Sequence, residues 1–530
     1  VELLLDKNAR DDSVGGYYGT ALNAAAEKGS LEMIWTRLKV DQRAKDTVNV
    51  PGGTHGYPLI AAAFRGQLDM VKLLISEGAD VNVADDSGTT ALHTAASRRH
   101  TTVVEELLRQ GSDIDRLSKV YGTAFHAASS NGQENIALIL VDRGANVILT
   151  DQQLRTPLHE AARTGLSRLS LKLLESDASN VSAIDSGGNT ALHHAAIGGY
   201  AEITKHLLAY GIDVSIGDSF KAQALFRAAG CHHPDVVELL LEAGANPNAR
   251  DCFGRTALHG PAQTEDVSVH SMLLEKGAEV NAIGEDKKTA LHEVCNMGRI
   301  NNVKLLLGQP DIKVNLVDND NCTALYNALC SSDAHYKDQC IDSGIVDLLL
   351  ERDDIDVNAC HAIAFQEAAR KGMLKAVETM LSKHGANIQI QGGKYGGVIQ
   401  AAAIGGHADM LELLLSPRWR VNVNSIGGEF GTPLAAAVAF GHFDAARVLL
   451  DAGATVDVRN VGRYSSAFHS IGRKMGGMDL LDKQQRYKEI ATLLERYACA
   501  SLDYDADMPY LEERWHHITN GWTFFLKGEM

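Results

Sequence analysis

One tetrapeptide returns along this chain at a fixed interval, and that interval constrains the fold more than any other feature. Thr90-Ala-Leu-His93, Thr156-Pro-Leu-His159, Thr190-Ala-Leu-His193, Thr256-Ala-Leu-His259 and Thr289-Ala-Leu-His292 share one register, with Thr123-Ala-Phe-His126 as a variant. Thr90 to Thr123, Thr123 to Thr156 and Thr256 to Thr289 are each 33 residues apart. A period in the range of roughly 20–50 residues describes a stack of like units, none of which buries its apolar face alone.

Each unit reads as helix, turn, helix, hairpin. The Thr is an N-cap, and Pro157 and Pro433 stand at the first helical position, where a missing N–H costs nothing. The Ala pair that follows lets neighbouring inner helices approach closely. A second apolar stripe, such as Val236-Val237-Glu238-Leu239-Leu240-Leu241, predicts an outer helix, and Gly244 supplies its left-handed C-cap. Units close on a Gly-Ala-Asx-Val-Asn ending, as in Gly78-Ala79-Asp80-Val81-Asn82. This pattern resembles the ankyrin repeat family, which implies an all-α solenoid with one β-hairpin per unit, curved around a concave groove.

The Thr slot falls at Thr20, Tyr57, Thr90, Thr123, Thr156, Thr190, Gln223, Thr256, Thr289, Thr323, Ile363, Gly397, Thr432 and Ser466, giving 14 units. Residues 1–14 read as the outer helix and hairpin of a unit whose inner helix is missing, so a longer natural array is expected. Residues 15–322 form the regular array. Residues 323–500 form an irregular one, with insertions near 332–343 and 474–487 and a shortened hairpin before Ile363. Residues 501–530 break the period, and Trp515, Trp522, Phe524 and Phe525 predict a cap over the last apolar face. The Gly-Gly-x-aromatic-Gly hairpins at 15–19, 392–396 and 427–431 resemble those of fungal ankyrin-rich proteins, some of them parts of NACHT-type signalling proteins.

Composition narrows the function. Asp plus Glu number 67 against 50 Lys plus Arg, a net charge of −17 that a nucleic-acid backbone repels. The longest apolar run, Leu434 to Phe440, is 7 residues, far short of the ~18 a spanning helix needs, so no membrane insertion is expected. Eight irregularly spaced cysteines in so long a chain do not make a disulfide framework, which points to a reducing compartment and a cytoplasmic or nuclear location. A monomer is expected.

Chemistry has no linear anchor. His93, His126, His159, His193, His259, His292 and His469 occupy one repeat slot, which the family resemblance assigns to hydrogen bonds between the inner helix and its cap. Cys322, Cys330, Cys340 and Cys360, with His335 and His361, lack the paired short spacing of a zinc ribbon, and Cys231-His232-His233 lies on a turn where side chains diverge. Asp503-x-Asp505-x-Asp507 opens like a calcium loop, but Met508 and Arg514 stand where that loop needs Gly and Glu. Phosphate-loop, Gly-x-Ser-x-Gly and His-Glu-x-x-His motifs are missing. No catalytic residue, metal or cofactor is assigned. A site assembled from distant repeats, near Thr323 to Gln366, is the enzymatic or small-molecule alternative, and a ligand-sensing part of a larger NACHT-type protein is another.

The resemblance places recognition on hairpin tips and exposed inner-helix positions. In the columns three, four and one before the slot, and seven and eight after it, units two to eight carry Arg65, Arg98, Lys119, Arg155, Arg163 and Arg255 against one acid, Asp86. An electropositive groove is therefore expected, with acidic charge on the other surfaces. Phe220 and Phe253 are 33 apart in one hairpin column and should stand side by side, and Arg255 and Lys288 form a basic ladder beside them. The reading is a protein-interaction scaffold whose groove takes an acidic or phosphorylated segment of a partner.

Overall fold

The computed structural model describes residues 21–32, 48–53, 55–178, 181–330, 343–456, 489–490, 492–494 and 496–497. Two compact units divide the chain, residues 1–285 and 286–530. The leading segment 1–14, slots Thr20 and Ser466, His469, the insertions expected near 332–343 and 474–487 and the closing segment 501–530 lie outside the described residues, apart from the helical backbone of Ser343.

In the first unit the inner helices Pro58–Arg65, Ala91–Ser97, Ala124–Ser130, Pro157–Thr164, Ala191–Gly198 and Ala224–Gly230 each begin one residue after a predicted slot. Outer helices such as Thr101–Arg109, Ser167–Ser176 and Pro234–Glu242 follow them. The second unit repeats the plan with inner helices Ala290–Asn296, Ala324–Cys330, Val398–Gly405 and Pro433–Phe440. Hairpins are short: single antiparallel bridges join Ala84 to Thr90, Gly217 to Gln223 and Val317 to Thr323.

The inner helices are narrow because they are packed on both sides. Ala95, Ala96, Ala127, Ala128, Ala161, Ala162, Ala195 and Ala196 are fully buried, and a larger side chain there would overpack the stack. Outer helices bury one stripe, as with Val103, Val104 and Leu107. Each such Val or Leu contributes about 1.5–3 kcal/mol.

Polar side chains join one repeat to the next. His93 Nδ1 accepts the Thr90 backbone N–H at 3.2 Å and lies 2.8 Å from Thr90 Oγ1. The ring proton is therefore on Nε2, which faces the Arg116 and Gly122 carbonyls of the following hairpin at 2.9 and 3.0 Å. His126, His159, His193 and His292 repeat the arrangement. A second ladder runs through the Asn of the closing motif: Asn82 Oδ1 accepts from Asp113 N, Asn248 from Glu279 N, and Asn424 from Thr455 N.

Two units depart from the period for identifiable reasons. After Thr256 the inner helix shrinks to a 3₁₀ turn, Ala257–His259, because Pro261 has no N–H to give Ala257 and its ring clashes with the preceding turn. Before Ile363 the chain omits its hairpin and passes from Asn358 into the helix through Cys360, His361 and Ala362, all left-handed (φ 50°, 62° and 56°). Such residues cost roughly 1–2 kcal/mol each. Gln366 takes the histidine's place, donating to the His361 carbonyl at 2.8 Å.

The Gly-Gly-x-aromatic-Gly hairpins at 392–396 and 427–431 pack backbone on backbone, and the one at 15–19 lies outside the described residues. A Cβ on Gly396 (φ 90°) would lie 2.1 Å from Gly428 N, so no other residue fits. Their aromatic residues, Tyr395 and Phe430, are buried. Among the described residues no helix is long and apolar enough to cross a membrane.

Candidate functional site

The site begins with an aspartate five residues before the slot. Asp151 Oδ1 accepts the N–H groups of Gln153 and Arg155 at 2.8 and 2.9 Å, and so shapes the hairpin. Asp85, Asp185, Asp218 and Asp251 do the same for theirs. With Oδ1 committed, Oδ2 turns to a basic side chain: Arg155 at 2.6 Å, the His194 ring at 2.9 Å, Arg227, and Arg255 at 2.7 Å, each on its own hairpin's aspartate. Burial opposes ionisation of Asp151 and Asp185, but the turn N–H groups and the basic partner outweigh it and hold both carboxyls below their ordinary range. One further carboxylate, Glu160, is buried in the inner helix between Arg155 at 2.6 Å and Arg163 at 2.7 Å.

Each of the expected basic positions finds a distinct setting. Arg65 is paired with the nearly buried Glu27, and Arg98 lies 3.8 Å from the centre of the Phe64 ring. Lys119 is exposed, with no ion pair among the described residues. Arg155, Arg163 and Arg255 are paired as above. Lys288 belongs to the second unit, where its ammonium is 3.9 Å from Asp286. The positive excess expected from the columns is thus offset by Glu27, Asp151, Glu160 and Asp251, and not all the acidic charge lies on other surfaces. Asp151 and Asp251 stand one position outside those columns and Glu160 three, and Glu27 belongs to the first repeat, which the columns leave out.

The arrangement is layered. The carboxylates of Asp151, Glu160, Asp218 and Asp251 are at most 9% exposed, whereas the guanidiniums of Arg155, Arg163, Arg227 and Arg255 are 21–40% or, at Arg255, 43% exposed. Arg163, Arg227 and Arg255 each commit Nε and Nη2 to the acid below. A guanidinium has five N–H groups, so the Nη1 edge of each remains for another acceptor.

Aromatic side chains complete the face. Phe220 and Phe253, 52% and 47% exposed, stack with ring centres 6.4 Å apart and planes 23° from parallel. Arg255 is 5.1 Å from the Phe253 centroid and 5.4 Å from that of Phe226. Phe226 stands where other units carry the capping histidine, and Gln223 replaces the Thr, so this unit gives up its cap and shows an aromatic side chain instead. Aspartate five before the slot is legible as Asp-x-x-x-x-Thr in several units, and Glu160 recurs four after the slot as Glu293 and Glu367, whereas Phe226 and Arg227 carry no repeated signal.

In the irregular second unit, Cys322 is buried, and burial together with Asp318 pushes its thiol up to about 12, so it is protonated at neutral pH. Tyr395 donates to Glu367 at 2.6 Å, and Arg370 pairs with the same carboxylate. Among the described residues no three His, Cys, Asp or Glu side chains are grouped to hold a metal. In the first unit an open crevice lined by Gln223, Phe226, Asn246, Arg250 and Asp251 spans about 200 Å³, open solvent included, below the ~300 Å³ at which small-molecule pockets begin.

The family description "Ankyrin repeats (3 copies)" matches residues 38–118, 59–151, 102–183, 125–218, 158–251, 213–283 and 365–460. No curated protein matches the chain in sequence. With overlapping matches through most of the first unit, a further match in the second, and the Thr-x-x-His caps in place, the chain belongs to the ankyrin-repeat family, whose repeats are in general protein–protein interaction modules.

Proposed function

We propose that this protein is a non-catalytic interaction scaffold or adaptor whose first unit holds an acidic or phosphorylated segment of a partner. The observation that carries this reading is the guanidinium layer over buried carboxylates: Arg163, Arg227 and Arg255 are each held through Nε and Nη2 yet present an unused Nη1 edge, the geometry for receiving a carboxylate or phosphate oxygen, while Arg155 spends Nη1 on Glu160 and braces the layer. Phe220 and Phe253 add an apolar anchor at the end of that layer. Because the paired arginines are locally neutral, they select at contact. Arg98 and Lys119 supply attraction at longer range, and Arg65, Arg163 and Arg255 the short-range recognition. Affinity therefore falls with salt mainly through the association rate.

The test is capture from native lysate at low and moderate salt, with and without phosphatase, comparing the wild type with a Lys119→Glu, Phe220→Ala, Phe253→Ala variant. These three side chains are exposed and support no buried carboxylate, so folding is retained. Partners lost from the variant and cross-linked through acidic or phosphorylated segments support the reading. Identical capture lists, or cross-links through basic segments, overturn it.

A further inference from the structure

Large apolar side chains stand in the open along the hairpins of the first unit. Val120 is 65% exposed and Leu154 54%, and with Phe220 and Phe253 they lie two or three residues before their slots, at the tips. The tips from Leu154 onward are tied to one another by backbone hydrogen bonds, Ser186 N to Gln153 O, Ser219 N to Gly187 O and Cys252 N to Phe220 O, at 2.7–2.9 Å, and the tip of Val120 is tied by Lys119 N to Ser87 O of the hairpin before it. The row from Leu154 to Phe253 is therefore fixed in spacing. Gly187 and Gly188 occupy the tip between Leu154 and Phe220 and leave it open.

Leu154 is the informative member. Its φ of 57° is left-handed, and the equivalent position is Gly88, Gly188 or Gly254 in three other hairpins, at 78°, 74° and 71°, and the polar Lys221, Lys287 or Asn321 in three more, at 58°, 59° and 58°, so Leu154 is the apolar side chain in that column. A leucine in that conformation is strained, and one half out in solvent gains little burial in return. Neither backbone preference nor core packing accounts for leucine here.

Resting on the scaffold reading above, we propose that the tips bearing Val120, Leu154, Phe220 and Phe253 seat an extended segment of a partner protein with an apolar residue at every third position and acidic residues between. The spacing follows from two lengths. Neighbouring repeats stand about one interhelical distance apart, ~10 Å, and an extended chain advances ~3.3 Å per residue, so about three residues span each repeat. The Nη1 edges of Arg163, Arg227 and Arg255 meet the acidic residues by charge complementarity, discrete apolar tips one repeat apart suit an extended chain rather than a continuous lipid surface, and a second copy of this chain is repelled by its own net charge of −17.

The experiment measures fluorescence anisotropy with a labelled peptide of repeated Leu-Asp-Ser triplets, long enough to span Val120 to Phe253, against a peptide of equal composition with the leucines at irregular intervals. The triplet peptide is expected to bind the full chain about tenfold more tightly. Phe220→Ala with Phe253→Ala abolishes that difference, and Leu154→Gly weakens binding about threefold while raising the melting midpoint. Equal binding of the two peptides, both lost in a Lys119→Glu, Arg98→Glu variant that melts like wild type, overturns the spacing and leaves acidic recognition standing. Binding of neither peptide, or tighter binding of a Leu-Lys-Ser counterpart, overturns both. Unchanged affinity in Leu154→Gly overturns the role of Leu154.

Discussion

The Arg255 guanidinium lies 5.1 Å from the centre of the Phe253 ring while Asp251, beneath it, holds Nε and Nη2. Asp251 also accepts the Phe253 and Arg255 N–H groups, so one carboxylate shapes the hairpin, orients the cation and places the aromatic ring. Turn geometry and recognition chemistry are therefore the same set of bonds, and removing Arg255 alone would disturb both.

Arg155 and Arg163 share Glu160 but are not equivalent. Arg155 is 21% exposed and also holds Asp151, whereas Arg163 is 40% exposed and holds Glu160 alone. Arg155→Ala leaves two nearly buried carboxylates short of a partner and is expected to cost about 3 kcal/mol, against about 1 kcal/mol for Arg163→Ala. Urea unfolding of the two variants decides this, and equal losses would contradict the layered arrangement.

Removal of a capping histidine should cost more than removal of its threonine. Thr156→Ala loses one cap, worth about 1 kcal/mol. His159→Ala also leaves the Thr156 N–H and the Ala183 and Asn189 carbonyls without their partner, and is expected to cost roughly 2–4 kcal/mol. Chemical denaturation read by circular dichroism gives the order, and a larger loss for Thr156→Ala would count against the inter-repeat role of the ring.

The same rings make stability depend on pH. Burial, and then the charge of His194, lowers His159 to about 4, and burial lowers His93, His126, His193 and His292 as well. Below the ordinary histidine value of about 6.5 the unfolded chain takes up protons that the folded chain refuses. Stability is thus complete above about 6.5 and declines as pH falls through the window down to about 4, by about 3 kcal/mol from His159 alone. Asp151 and Asp185 add a further loss below the ordinary carboxyl value. Urea midpoints measured across that window should fall steadily with acid, and a flat profile would refute neutral, hydrogen-bonded histidines.

Gly396→Ala tests the backbone contact between adjacent hairpins. The added methyl would meet Gly428 N at 2.1 Å in a left-handed residue, and a loss of at least about 3 kcal/mol is expected. A thermal midpoint within a degree or so of wild type would show that these hairpins do not meet.

Much of this was legible in the chain because period 33 places equivalent residues in equivalent places. The Thr slots, the alanine pairs, the capping histidines and the pairing of Phe220 with Phe253 follow from one register. Pairing of Arg155, Arg163 and Arg255 was not, because charge was counted in columns whose neighbours hold the acids. Asp251 lies four residues from Arg255 and Glu160 three from Arg163, distances that only the hairpin and helix geometry close. The left-handed turn at Cys360 to Ala362 and the 3₁₀ turn after Thr256 are departures from the repeat, and a period carries no information about its own exceptions.

The measurement that bears most directly on the central claim is the affinity of the captured partner segment for three proteins: wild type, Phe220→Ala with Phe253→Ala, and Glu238→Lys on the exposed side of the outer helix Pro234–Glu242. A loss of about tenfold in the first variant and less than about twofold in the second is predicted. Equal loss in both, or loss only in Glu238→Lys, would place recognition on another face and contradict the account.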